Sequence, residues 1–462
     1  MPEYLSPGVY VEEIPSAVKP IAGVSTSTAC FLGVVPDTIQ IPRENPSYDP
    51  TGRASTDDSK NPSVLVTFTK ASASDVKAKA DAVAQAQKAL SGNTDPTKRA
   101  DLAKALAAAQ KDKAQVDANT MADDNTPVLC TNFTDFKRSF GDFSTDPGQS
   151  ALAHAVYGFF NNGGTRCYVM RCTSAELSNP ETLTPLEAID EISIVAAPGF
   201  ADAGIQQNLV DHCANTADRF AILDPPLIDE GSNLTVENLL KAKNTDYGAL
   251  YFPRISVFDI ASKLQDPNGT GDKFVSPSGH IAGIYSRVDH ERGVHKAPAN
   301  EVIRGALDVE FQISRNVQDG LNPSGVNCIR FINNNITVWG ARTIGGDANT
   351  DLKYINVRRT LIFLRESIDR GTQWVVFEPN DRSLWAKITR NVTAFLTTVW
   401  RDGALFGSTP QEAFYVKCDD ETNPPEERDL GRVTTEIGVA IVRPAEFVIF
   451  RISQWSGPQG QQ

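Results

Sequence analysis

The segment His290-Glu291-Arg292-Gly293-Val294-His295 comes nearest to a metal site in this chain. A zinc-protease helix carries its two histidines at i and i+4, which places both imidazoles on one face. Here the spacing is i and i+5 with Gly293 between them, so the rings do not converge from a helix, and His280 is the one nearby third ligand. Cys167 and Cys172 lie five apart on or beside a strand, a spacing that suits two buried thiols better than a chelating pair. Gly163-Gly164 and Gly345-Gly346 read as turns, since neither belongs to a phosphate loop or a dinucleotide fingerprint. No G-x-S-x-G occurs, and five histidines leave little material for a triad. The carboxylates Glu12, Glu13, Asp419, Asp420 and Glu421 cluster in arm-like or loop-like segments and read as solvated. The expectation is a protein with no catalytic residues, no metal site and no cofactor.

Composition narrows the classes further. With 462 residues the chain predicts about three domains, or two with an insertion. A formal net charge of −13 disfavours nucleic acid and anionic membranes as partners, because both would repel the surface. No apolar run approaches the roughly 18 residues of a membrane span, so direct membrane insertion is not expected. The start of the chain lacks a basic and apolar leader, and seven thinly spread cysteines read as reduced thiols of a protein made in the cytosol.

The elements that could position a site fall into four stretches. Residues 1–20 carry Pro2, Pro7, Pro15 and Pro20, which forbid a long helix. The strand-type residues Val9, Tyr10, Val11, Glu12 and Ile14 lie between these prolines. Residues 21–35 read as a buried strand entering a globular body. Residues 70–119 hold 16 alanines, no aromatic, and nine Lys or Arg against six Asp. They predict helices at about 72–90 and 97–118 around a Ser91–Pro96 turn, an αα-hairpin inserted into the body with a thin apolar seam.

The body, 21–345, is expected to be α/β. Strands at 167–170, 192–197 and 220–223 alternate with helices at 149–161 and 205–217, which implies a largely parallel sheet. Residues 325–343 read as two strands about Asn333-Asn334-Asn335. Residues 346–462 predict an α+β domain. Its helices are expected at 351–369, stopped by Gly371, and at 382–402, and its strands at 374–377, 413–419, 432–442 and 446–454. On helix 382–402 the apolar residues recur at helical spacing, with Arg382, Lys387 and Arg390 elsewhere on it and Arg401 at its end.

The two ends are the unusual feature. Each is a strand-like segment with weak ties to a neighbouring core, and an isolated strand is not stable alone. Strand addition to another subunit's sheet is the physical use of such ends. A subunit that gives strands to one neighbour and takes them from another makes head-to-tail contacts, which close into rings or run on as filaments.

Five stretches in order resemble the contractile tail sheath proteins of phages and phage-tail-like contractile injection systems. They are YLSPGVYVEEI at 4–14, LAHAVYGFFNNGG at 152–164, VSPSGHIAGIYSRVD at 275–289 with RGVHKAPAN at 292–300, VWGARTI at 338–344 and YINVRR at 354–359. The likeness extends over nearly the whole chain apart from 40–125, and the hairpin 70–119 is a departure from it. The resemblance implies a homopolymer wound helically around an inner tube, metastable when extended, that contracts to drive the tube through a target envelope. It implies an outer α/β body and an inner C-terminal domain, about 346–462, that faces the tube and is completed by exchanged strands. The arms would be 1–20, through Val9, Tyr10, Val11, Glu12 and Ile14, and about 445–456, through Phe447, Val448, Ile449, Phe450 and Ile452. Arg382, Lys387, Arg390 and Arg401 become candidates to face the tube, and the stretch 275–300 becomes a scaffold loop. Implied partners are other copies, the inner tube protein, and baseplate and terminal cap proteins. Implied assembly is in the bacterial cytoplasm, as part of a phage tail or a similar particle that can be released. A non-contractile particle protein, or an α/β enzyme with an unrecognised site, is the competing reading.

Overall fold

The computed structural model describes residues 20–36, 38–44, 63–69, 73–117, 121–229, 234–240, 242–266 and 268–451. They form two compact units. Among the described residues the larger spans 26–360 and 442–451, and the smaller 20–25 and 361–441. Residues 354–360 belong to the larger unit for a chemical reason. Arg359 pairs with the buried Asp289 at 2.6 Å and donates to the Thr26 carbonyl, and Arg358 pairs with Asp246. Residues 346–360, placed by sequence with the final domain, are therefore held by the larger unit.

In the larger unit the strands in chain order are β1 (Ala29–Gly33), β2 (Thr38–Glu44), β3 (Ser63–Thr69), β4 (Val128–Cys130), β5 (Cys167–Arg171), β6 (Ile194–Ala196), β7 (Phe220–Leu223), β8 (Gly248–Phe252), β9 (Ile255–Phe258), β10 (Asp272–Val275), β11 (Glu301–Val302), β12 (Ala306–Val309), β13 (Val326–Ile332) and β14 (Asn335–Val338). Nine of them make one sheet, ordered β11-β14-β13-β8-β7-β6-β1-β5-β4. Its middle is parallel and its outermost pairs are antiparallel. Strands covered on both faces should be apolar throughout, and β1, β7 and β8 are buried at every residue. Asn333 and Asn334 take the left-handed φ values of 48° and 63° that a two-residue hairpin turn between β13 and β14 requires.

The longer helices here are α1 (Ala73–Ser91), α2 (Pro96–Asp117), α3 (Phe133–Phe140), α4 (Pro147–Asn161), α5 (Ala203–Thr216) and α6 (Ser278–Arg292). Asp146 and Asp202 cap α4 and α5 by accepting from backbone amides of the first turn. Helices α1 and α2 make the expected hairpin. Asp95 accepts from the Thr97 amide with Pro96 as first helical residue, and no side chain described in either helix is buried. It follows the antiparallel ribbon β2–β3.

The stretch 275–300, expected as a loop, is instead mostly helix α6. Residues 278–288 are all buried, and Gly293 ends the helix at φ 89°. Burial all round left no apolar stripe for periodicity to register.

In the smaller unit, α7 (Ile355–Thr372, which begins in the larger unit) and α8 (Arg382–Arg401) precede β15 (Phe414–Lys417) and β16 (Glu436–Val439). Leu384, Ile388, Val392, Phe395 and Leu396 of α8 form its core with Leu364, Leu405 and Phe414. Gly371, read as a helix stop, lies inside the last turn of α7, where a Cβ would stand 2.6 Å from Ile21. The strand expected at 374–377 is not formed. Residues 373–375 make a single 3-10 turn, and Phe377 takes a left-handed φ of 69° that no ladder accommodates. Residues 443–451 also pair with no strand among the described residues.

Candidate functional site: an exposed tail and two open strands

The chemistry-bearing residues do not gather. His280 lies in the buried part of α6 and His290 in its exposed last turn, ten residues on and so about 15 Å along the axis. His295 follows the helix. Burial pushes the thiols of Cys130 and Cys172 up to about 12, and that of Cys167 higher than its ordinary value, which suits structural cysteines.

What the structure does assemble is the root of the C-terminal segment. The Val442 carbonyl accepts from Asn356, and Arg443 pairs with Asp351. Glu446 accepts four hydrogen bonds of 2.8 Å. Oε1 takes Nε of Arg342 and Nδ2 of Asn322, and Oε2 takes Nη2 of Arg342 and the Tyr354 hydroxyl. Burial would raise the Glu446 carboxyl, but these donors, Arg342 foremost, hold it below its ordinary value. The Tyr354 hydroxyl is pushed up to about 12 by burial and by its bond to Glu446.

Directly beyond this anchor the chain turns apolar and open. Phe447, Val448, Ile449 and Phe450 are 71, 68, 78 and 84% exposed. An exposed apolar run of this kind is a mark of an interaction surface. Val9, Tyr10, Val11, Glu12, Ile14 and Ile452 lie outside the described residues.

The smaller unit holds the complementary feature. Its sheet has only β15 and β16, paired from Phe414↔Val439 to Lys417↔Glu436, and each has one side without a ladder partner among the described residues. Such edges are templates for further strands. Tyr415 on β15 is itself exposed.

On α8 the four candidate cations divide. Arg382 is exposed but pairs with Asp420 at 2.7 Å. Lys387, Arg390 and Arg401 are exposed, make no ion pair among the described residues, and fall within roughly 60° of one another about the helix axis. The Glu446 cluster was not legible in sequence, because Arg342 and Glu446 are 104 positions apart and only packing joins them.

Residues 175–344 match the phage tail sheath protein central domain, and residues 347–454 the phage tail sheath C-terminal domain. The tail sheath protein of Burkholderia phage BcepMu is 26% identical over 211 residues, 44% of this chain and 42% of that protein. The chain thus aligns with less than half of that relative's length. The fold is similar to the sheath of an extracellular contractile injection system, PVC, in its contracted state, with a TM-score of 0.66, 22% identity and 99% of each chain covered. It is also similar to the contracted helical sheath of the anti-feeding prophage, with a TM-score of 0.63, 23% identity, and 97% of this chain and 99% of that one covered.

Proposed function

Because this chain belongs to the phage tail sheath family, we propose that it is the structural subunit of a contractile sheath, one that polymerises helically around an inner tube and shortens to drive that tube through a target envelope. The observation that carries the reading is the exposed apolar tail 447–450, with a two-stranded sheet in the same chain whose edges are open among the described residues. A tail from one copy added to β15 or β16 of the next satisfies both, since main-chain hydrogen bonds give affinity and alternate side chains give register. The contact is head-to-tail, so it propagates as a filament. The N-terminal residues 9–14 are proposed to add in the same way.

Contraction then needs no chemistry at a site. Its work comes from the difference between two packings of the same chains, while the exchanged strands keep neighbours linked. The C-terminal domain, about 346–462 and including α8, is the part proposed to face the tube. Assembly takes place in the cytoplasm, with a baseplate at one end and a cap at the other. The particle belongs to a phage tail or to an injection system that leaves the cell.

The test is a proline in each arm. Ile449→Pro and Tyr10→Pro each remove a backbone donor from a potential ladder. The subunit should keep its melting temperature, and electron micrographs should show dispersed particles in place of sheaths. Full-length sheaths from either variant would overturn the role of that arm.

A further inference from the structure

We infer that Glu446 is the positioning residue of strand exchange: held by Arg342, Asn322 and Tyr354, it fixes the point at which the tail leaves the subunit and so presents residues 447–450 to a neighbour in one direction. The inference rests on the proposed tail exchange and adds to it a device within the donor subunit.

The geometry argues for a clamp over an incidental ion pair. Arg342 is 3% exposed, sits in the segment that follows β14, and spends two nitrogens on Glu446 in a bidentate pair. Asn322 and Tyr354 close on the remaining acceptor positions from two other segments. One carboxylate thus gathers three separate parts of the larger unit. The clamp also falls at the boundary of exposure, because Glu446 is largely covered and Phe447 is largely open.

Its use follows from chain entropy. A tail free from 442 onward must order every residue when it docks, and one held through 446 orders only those beyond the clamp. Arg342 has further partners in the Asn322 carbonyl and Asp347, so loss of the Glu446 charge does not leave the guanidinium alone in the interior.

Glu446→Gln is the direct test. A glutamine amide has only one acceptor oxygen and turns donors toward the Arg342 and Tyr354 donors. Spin labels on Val448→Cys and on Asp319→Cys, an exposed position of the larger unit, in a Cys418→Ser background, read the tail's direction in the unassembled subunit. The wild-type distance distribution should be narrow, and in Glu446→Gln it should broaden while the melting temperature holds. The concentration needed for sheath assembly should rise at least roughly tenfold, the equivalent of ordering one further backbone residue on docking. Tyr354→Phe, which removes one donor and keeps the ion pair, should give an intermediate effect, and it decides the matter if the glutamine variant fails to fold. An unchanged distance distribution, or wild-type assembly by Glu446→Gln, overturns the inference. A chain ended after Ala445 separates the two readings. If it still forms sheaths, tail exchange itself is wrong. If it does not and Glu446→Gln assembles normally, exchange stands and the clamp is wrong.

Discussion

Gly279 of α6 lies so close to Ala155 of α4 that a Cβ built on it would stand 2.3 Å from the Ala155 Cα. The same two helices meet again at Gly283, where a Cβ would be 2.5 Å from the Phe159 carbonyl oxygen. Both obstacles are backbone and cannot swing aside. Gly279→Ala must therefore push the helices apart, an overpacking cost of about 1–3 kcal/mol. The melting temperature of the subunit should fall by several degrees. Gly320→Ala is the control, because nothing lies within 4 Å of a Cβ there. Equal melting temperatures for the two variants would show that the α4–α6 contact yields.

His280 gives the larger unit a pH dependence. Burial, helped by the charge of His154, pulls its pKa from 6.5 down to about 3. The unfolded chain takes up a proton below 6.5 and the folded chain does not until about 3. Stability is therefore lost as pH falls from 6.5 toward 3 and is full above that window. His280→Phe keeps a ring and removes the proton site, so its melting temperature should fall less steeply between pH 7 and 4. Parallel slopes for the two proteins would assign the acid sensitivity to other groups.

The helical hairpin should be dispensable for folding. Its facing residues Val76, Val83, Leu90, Leu102 and Leu106 are only partly covered, and the Lys79–Asp112 pair across it is exposed. Replacing 70–119 with a short Gly/Ser linker should leave a soluble subunit that still forms sheaths. Insoluble protein after the deletion would place the hairpin in the core.

The cationic stripe of α8 is proposed to grip the tube. Single exposed charge contacts are worth about 0–1 kcal/mol, but a helical lattice repeats them at every subunit. Lys387→Glu with Arg390→Glu should fold normally and form sheath alone, yet fail to assemble around the tube at low salt. In wild type the grip should weaken with salt, as the Debye length shrinks from about 10 Å at 0.1 M. Wild-type yield of tube-filled sheath from the double variant would move the gripping surface elsewhere. Arg382 is left out of this variant because Asp420 already neutralises it.

What the sequence determined by itself was local. Helices α1, α2, α4, α5 and α8 and strands β1, β5, β6, β7 and β13 follow from period, caps and turn residues, all signals contained within a few neighbouring positions, whereas β8 was not singled out. The apolar run Phe447 to Phe450 was equally plain, although the strand expected at 446–454 has no ladder among the described residues. The tertiary structure decided everything that joins distant positions. It made a helix of 278–292, where burial on all sides over 278–288 erased the amphipathic pattern. It set residues 346–360 with the larger unit through Arg358 and Arg359. It also chose the partners of Glu446, which stand 92 to 124 positions away. A carboxylate has many arginines within reach of an unfolded chain, and only the packed body selects one of them by leaving Arg342 buried where the chain returns.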